Sequence, residues 1–491
     1  MSQLPADCLY EILKYLENDK FTLNSCILVN RFWCEVSVRI FWRNVWNYNT
    51  LNFRTLIACL SNKSKEILCE NGIIISTPTS KFPTYNYASF CKVLSVEQVY
   101  NKINLLLKRT ISSKDSNNIK HMLPIVVQEI FKLFIKHVSS LKKLEILSFC
   151  QWQSPPTHFI FYPGAKDFFK NLSELHCSSN ISSEFFYQLS QTCYNIESFT
   201  IEARKIVSNG LVDLISVQKN IKYFDIMLGY GLTKNELINT IPSLMSKLSN
   251  TLIKLKLYGN HHHYTSLSFI ANLVNLQELV LYFCRDGCFG DFGKLQYNNF
   301  QKLQILKIQD RFPKVEVLVK FLENNGKYLK EFYIGDDDGK SDNSLNLSIA
   351  KFCPMLRKLS TGIKSNELET LKIIFDNCKY LESIKIWCGD EFLSEKQALE
   401  TVVKYSQNIN EIILYHLFTV RFKLLPKTLE SFFVNWTNRT PQKSFSLVIV
   451  TYDGENSLDK NDENMEIIQK YINLGVIKNF KVTDFDDKEY N

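Results

Sequence analysis

The sequence has no basic residue between Met1 and Asp7 and no long apolar run after it, so neither a secretory nor a mitochondrial signal is readable. No apolar stretch approaches the roughly 18 to 20 residues that a bilayer span needs. The expectation is a cytoplasmic or nuclear protein with no membrane partner. None of the 14 cysteines forms a C-x-x-C pair, which argues against zinc and redox sites and favours small buried hydrophobes. Also missing are a Gly-rich phosphate cradle, a G-x-S-x-G elbow and an H-E-x-x-H helix. Paired carboxylates such as Asp486-Asp487 lie in an acidic tail with nothing to desolvate them. No catalytic residue, metal site or cofactor is therefore expected.

What is present is an ordinary foldable composition, 45% hydrophobic and 22% charged over 491 residues. The net charge of +8 comes from lysines scattered among acidic residues, which gives weak attraction to polyanions rather than a groove. No nucleic-acid partner is expected.

At the N-terminus Leu9, Ile12, Leu13 and Leu16 recur at i, i+3, i+4 and i+7 and mark one face of a short helix. Leu23, Cys26 and Ile27 make a second such face, and Trp33, Val36 and Ile40 a third. A small helical unit that also carries Leu4, Leu28, Val29, Phe41 and Trp42 has an apolar surplus. Periodicity alone leaves two readings: a surface for a partner, or a cap that buries everything against the rest of the chain.

The string Leu4-Pro5-x-Asp7-x-Leu9-x-x-Ile12-Leu13-x-x-Leu16, followed by Leu28-Val29-Asn30-Arg31-Phe32-Trp33 and Phe41-Trp42, resembles an F-box. The resemblance covers about a tenth of the chain. It implies a small helical bundle docking on a Skp-type adaptor and, through it, on cullin and RING subunits. The implied adaptor contacts are Leu4, Pro5, Ile12, Leu13, Leu16, Leu28, Val29 and Trp42, with Leu9, Cys26 and Trp33 holding the bundle together. Two departures stand out. Asn30 replaces the usual Cys or Ser, and the Glu17 to Thr22 connection is longer than the family's.

Residues 48–138 read as a mostly helical linker, interrupted near Pro78, Pro83 and the polar run from Ser112 to Asn118. From 139 to 491 a string of apolar-x-x-apolar-x-apolar recurs. It starts at Leu141, Leu172, Ile196, Ile221, Leu252, Leu276, Leu303, Leu329, Leu356, Leu381, Ile409 and Leu429, with a weaker copy at Ile477. The period is about 26 residues, within the leucine-rich-repeat range. The last two apolar positions of each string are two apart, as in a strand with one face buried. Segments such as Leu368, Leu371, Ile374 and Phe375 are helical in period. The expected fold class is α/β: an F-box bundle (1–47), a helical linker (48–138) and a leucine-rich-repeat solenoid with parallel strands on the concave side and helices on the convex side. Cys193, Cys353 and Cys378 each sit three residues before a string and read as buried plugs between helix and strand. The Cys353-Pro354-Met355-Leu356 stretch resembles the cysteine-containing repeat subclass that follows F-boxes.

Two further clusters read as solvated loops. His261-His262-His263 has consecutive, diverging side chains, and Asp336-Asp337-Asp338-Gly339 fails the EF-hand pattern at Ser341 and Leu347.

The expected function is substrate recognition in a Skp–cullin–F-box ubiquitin ligase, with an F-box-containing, non-degradative scaffold as the alternative. An unknown protein substrate is expected on the concave flanks of the strands, at Tyr258, Tyr282, Tyr333, Trp387, Tyr415 and Phe433. Loops covering these rings, and a site at the C-terminal end with the acidic tail, stay open as alternatives.

Overall fold

The computed structural model describes the chain except residues 1–3, 18, 80–81, 111–115, 148–155, 205, 230, 234, 260–265, 285–288, 336–340, 390, 417–423, 441–442, 452–456 and 484–491. The chain divides into two compact units, Met1–Leu232 and Thr233–Asn491.

The first unit begins with three short helices, α1 (Ala6–Lys14), α2 (Lys20–Ile27) and α3 (Arg31–Phe41). Leu9, Leu13, Leu23, Cys26, Val36 and Ile40 are buried between them. Side-chain caps start the later two helices. Asp19 Oδ1 accepts from Thr22 N at 3.0 Å, and Asn30 Oδ1 accepts from Trp33 N at 2.9 Å. Both departures from the F-box pattern thus sit at helix starts. The longer connection ends in the cap of α2, and Asn30, a strong N-cap residue, begins α3.

Helices α4 (Thr50–Ala58) and α5 (Asn62–Glu70) follow, then strand β1 (Val93–Ser95) and helices α6 (Val96–Thr110) and α7 (Ser116–His137). The segment read as a helical linker therefore also contributes a strand. β1 pairs parallel to β2 (Lys143–Ile146), one strand earlier than the repeat pattern starts. The missed strand has only three residues, too short for alternation to register. After β2 the chain alternates α8 (Ala165–Phe169), β3 (Glu174–Ser178), α9 (Ser183–Ser190), β4 (Ser198–Ala203), α10 (Asn209–Ser216) and β5 (Tyr223–Leu228).

In the second unit the elements are α11 (Ile241–Ser246), β6 (Lys254–Gly259), β7 (Glu278–Phe283), β8 (Ile305–Asp310), α12 (Val315–Asn325), β9 (Glu331–Gly335), α13 (Asn343–Phe352), β10 (Lys358–Thr361), α14 (Leu368–Asn377) and β11 (Ser383–Cys388). They continue with α15 (Glu395–Tyr405), β12 (Glu411–His416), α16 (Pro426–Thr437), β13 (Phe445–Thr451), α17 (Asp462–Asn473) and β14 (Ile477–Thr483). Between β6 and β8 the helices are replaced by 3-10 turns at Ser268–Asn272 and Phe292–Tyr297.

Within each unit every strand pairs parallel with its sequence neighbour, in a register that aligns the repeat strings. Leu144, Leu175, Phe199 and Phe224 stand in one row of the first unit. Leu255, Leu279, Leu306, Phe332, Leu359, Ile384, Ile412 and Leu447 form the matching row of the second. These rows face the helices and are buried, whereas the intervening residues face the open side of the sheet. Thr361 takes an inward position otherwise held by aliphatics. Its hydroxyl donates to Asn346 Oδ1 at 2.8 Å, and Asn346 Nδ2 donates to Gly362 O at 2.9 Å, so the buried polar pair is satisfied.

Two corrections follow. The string at Leu429-Phe432-Val434 is not a strand but part of α16: Leu429, Phe432, Phe433 and Trp436, at i, i+3, i+4 and i+7, share its buried face, Val434 lies off that face and is exposed, and Pro426 suits a first turn. The strand of that repeat is β13, Phe445–Thr451, which is buried along its whole length and so lacks the alternation that marks the others.

The helix-end cysteines have a second role beyond filling space. Cys193 Sγ donates to Phe169 O at 3.0 Å and Cys378 Sγ to Cys353 O at 3.4 Å, each reaching the carbonyl of the preceding repeat. Gln218 Nε2 does the same to Cys193 O at 2.6 Å, and Asn325 Nδ2 to Asn298 O at 3.0 Å. The repeats need a donor at this joint, and cysteine, glutamine and asparagine all supply one.

Candidate functional site

Two surfaces collect the residues singled out by the sequence, one in each unit. On the N-terminal bundle Leu4 (52%), Ile12 (52%), Leu28 (84%) and Val29 (58%) are exposed, and Pro5 is exposed beside them. Leu16 is half-buried. Tyr15 and Phe21, which were not singled out, are also exposed. Tyr15, the C-cap of α1, follows Ile12 by three residues, a signal that was available in the same periodicity. The bundle thus has a complete interior and a surplus of large apolar side chains outside it.

Leu13 and Trp42 do not join this surface. Leu13 is buried among the three helices. Trp42 is buried because its indole packs on Tyr48, with ring centres 4.8 Å apart, and on Tyr87 at 4.5 Å. Both are corrected to internal packing residues. Of the residues expected to hold the bundle, Leu9 and Cys26 are buried and Trp33 is half-buried.

The second surface is the open face of the sheet in the second unit. Tyr258 and Tyr282 stand opposite each other on β6 and β7, half-buried, with ring centres 6.1 Å apart. Tyr333 on β9 is half-buried as well. Its hydroxyl accepts from Lys385 Nζ at 3.0 Å, and the same ammonium lies 4.8 Å from the Tyr333 ring centre, 5.3 Å from Trp387 and 4.2 Å from Tyr415. Lys385 is therefore held by three aromatic rings.

Trp387 and Tyr415 are corrected from exposed anchors to buried ones. They form an apolar cluster on the open side of the sheet with Phe392, Val448 and Val450. The indole of Trp387 lies over Gly335, where an added Cβ would meet Cη2 at 2.6 Å. Phe433 is corrected too: it sits on α16, fully buried, and stacks on Tyr471 at 4.4 Å.

A buried polar group at the end of β12 has the ingredients of a nucleophile site without its environment. His416 Nε2 is 2.7 Å from Glu395 Oε1, and Cys388 is the register partner of His416. All three are buried, and burial first, then the Glu395 charge, pushes the Cys388 thiol up, opposite to what an activated thiol needs. What the pair does is structural. It ties α15 to β12, and Glu395 Oε1 also accepts from Leu458 N at 3.3 Å. Among the described residues no group of three or more His, Cys, Asp or Glu could hold a metal ion. The triple-histidine and triple-aspartate segments and the acidic tail lie outside the described residues.

No protein-family model and no curated protein matches this chain. Among solved structures it is similar to a chain of the yeast Rad7 and Elc1 complex, at 16% identity, covering 65% of this chain and 88% of that one with a TM-score of 0.35. It is also similar to the leucine-rich repeat-containing protein LegL7 from Legionella pneumophila, at 13% identity, covering 66% and 96% with a TM-score of 0.35. The fold is a leucine-rich-repeat fold. Its repeats of one parallel strand and one helical segment carry that statement, and neither similarity says what this chain binds. No helix among the described residues is long and apolar enough to cross a membrane.

Proposed function

We propose that this chain is a non-catalytic receptor whose N-terminal bundle docks on a Skp-type adaptor while its repeats hold a protein substrate. In a Skp–cullin–F-box ubiquitin ligase, with cullin and RING subunits recruited through the adaptor, its contribution to the reaction would be proximity. Such an assembly would work in the cytoplasm or nucleus. One observation carries the reading. Leu4, Ile12, Tyr15, Phe21, Leu28 and Val29 are exposed together on a small bundle whose own interior is already filled. Exposed apolar surface of this density on so few residues marks a protein interface.

The test is binding of purified Skp-type adaptor to the full chain and to a Leu4→Ala, Ile12→Ala, Leu28→Ala variant. Anchors at an interface centre cost about 2 kcal/mol or more each when truncated, so the variant should lose the adaptor. Because these side chains contribute little to the bundle interior, its melting temperature should stay near wild type. Adaptor bound equally by both chains would refute the docking surface. The alternative, a scaffold that binds without promoting degradation, is separated by following a bound partner's turnover with and without the triple substitution.

A further inference from the structure

In five repeats the residue just before the first apolar position of the string is asparagine: Asn171, Asn195, Asn220, Asn275 and Asn408. At two of them it ties one repeat to the one before, with Asn275 Nδ2 donating to Asn250 O and Asn408 Nδ2 to Lys379 O, both at 2.8 Å. Three consecutive repeats of the second unit abandon this residue. Tyr328, Met355 and Tyr380 take its place before β9, β10 and β11 and are 50%, 42% and 53% exposed. They stand in line, because each lies two residues before Lys330, Arg357 and Glu382, which backbone bonds from Arg357 N to Lys330 O and from Glu382 N to Arg357 O hold in register. A residue able to join repeats is thus exchanged three times running for a large apolar side chain in solvent, a choice that packing of the core does not require.

The charges around this row are uneven. Each nearby carboxylate has a cation of its own: Glu323 pairs with Lys320 at 2.6 Å, Glu331 with Lys358 at 3.1 Å, Asp376 with Lys379 at 3.6 Å and Glu382 with Arg357 at 3.2 Å. Among the described residues Lys302, Lys327, Lys330 and Lys351 have no carboxylate within ion-pair distance. Their contacts are neutral. Lys302 Nζ donates to the amide oxygen Asn275 Oδ1 at 2.6 Å, and Lys327 and Lys351 lie 5.4 and 5.0 Å from the ring centres of Tyr328 and Phe352.

We propose that Tyr328, Met355 and Tyr380, on the edge of the sheet where the strands begin, are the docking row for an acidic amphipathic helix of a partner protein. The proposal rests on reading the repeats as the protein-binding part of the chain, and it supplies the chemistry of what they hold. Neighbouring strands lie roughly 4.8 Å apart, so the row from Tyr328 to Tyr380 spans roughly 10 Å. A helix laid along it repeats its apolar face at i, i+4 and i+7 over nearly the same length, at roughly 1.5 Å per residue. Carboxylates bordering that stripe would meet the four lysines, whose charge no residue of this chain neutralises. A second copy of the chain is a poor occupant, since it would bring the same lysines and a net charge of +8 to the contact. A single-stranded nucleic acid is poorer too, because it needs open ring faces for stacking, whereas the middle position is Met355 and Lys327 already lies over Tyr328.

The experiment uses the full chain with no adaptor present, so its outcome does not depend on whether the bundle docks. A fluorescein-labelled helical peptide with a leucine stripe bordered by glutamates is titrated by anisotropy. Beside it run a scrambled peptide of the same composition, a Lys-for-Glu version and a charge-matched oligouridylate. The acidic helix should bind, the scrambled peptide and the oligouridylate more weakly, and the basic version not at all. Tyr328→Asn, Met355→Asn and Tyr380→Asn together give these repeats the asparagine of their neighbours, so the variant should fold as well as wild type yet bind the acidic helix about tenfold more weakly or worse. Lys327→Gln with Lys330→Gln should weaken it by less, and Tyr187→Ala, an exposed ring on α9, should change nothing. Circular dichroism and melting temperature check each fold, and the lysine pair, which removes no packing, keeps the test decisive if the triple variant unfolds. No binding of the acidic helix, equal binding of the scrambled peptide, wild-type binding by a folded triple variant or by the lysine pair, or tighter binding of the oligouridylate overturns the proposal.

Discussion

The indole of Trp46 donates its Nε1–H to Glu145 Oε2 at 2.6 Å, joining the end of the N-terminal bundle to β2 across 99 residues of sequence. Glu145 is buried and its other oxygen meets Lys143 Nζ at 2.9 Å. The bundle is thereby fixed to the first repeats within one compact unit. Backbone bonds reinforce it, with Lys92 N and Val93 N both donating to Arg43 O.

Replacing Trp46 with Phe keeps an aromatic ring, though a smaller one, and removes this donor from a buried carboxylate. The expected cost is about 1.5 kcal/mol, the low end for a hydrogen bond to a charged acceptor, because the indole is half exposed. Thermal melting measures it, and proteolysis should cut faster within residues 41–50.

Asn30→Ala removes the side-chain cap of α3 and should destabilise the bundle by about 1 kcal/mol, whereas Asn30→Ser, which retains a capping oxygen, should cost little. Chemical denaturation of the two variants in parallel decides the matter. Equal stability would mean that the cap contributes nothing.

Gly335 has φ of +146°, a backbone region that side chains rarely adopt, and it lies under the indole of Trp387. Gly335→Ala should therefore cost about 1–3 kcal/mol. In a Trp387→Phe background the steric part is relieved and the penalty should shrink, by about 0.5 kcal/mol or more. A double-mutant cycle on melting free energies tests both statements.

The buried thiols give the protein an alkaline limit. Burial pushes Cys193 and Cys378 up to about 12 from an ordinary 9.0. A thiol raised in the folded state keeps its proton there while the unfolded chain ionises. The stability it contributes is full below the unfolded value and is lost as pH rises from about 9 to 12. Stability should fall through that window, and Cys193→Ser with Cys378→Ser should flatten the fall. At neutral pH neither cysteine should react with a thiol reagent until the chain unfolds, which timed labelling followed by mass spectrometry would show.

The sequence by itself determined the repeat. Leu144, Leu175, Phe199 and Phe224 announce their shared row through spacing alone, since a strand must place residues two apart on the same face and each strand needs a neighbour to bury it. The apolar surplus of the bundle was legible in the same way, at Leu4, Ile12, Leu28 and Val29. Tertiary structure alone decided three things. The Leu429 string became helix because Leu429 and Phe432 also share a helix face with Phe433 and Trp436, and only packing selects between that face and a strand. Trp42 and Leu13 turned inward because residues up to Tyr87 compete with any partner for the same apolar faces. Trp387 and Tyr415 were buried while Tyr258 and Tyr282 stayed half exposed, although all four occupy equivalent flanks, because Phe392, Val448 and Val450 reach the first pair and not the second. Alternation assigns a side chain to a face; what else shares that face depends on residues far along the chain, and no local pattern encodes it.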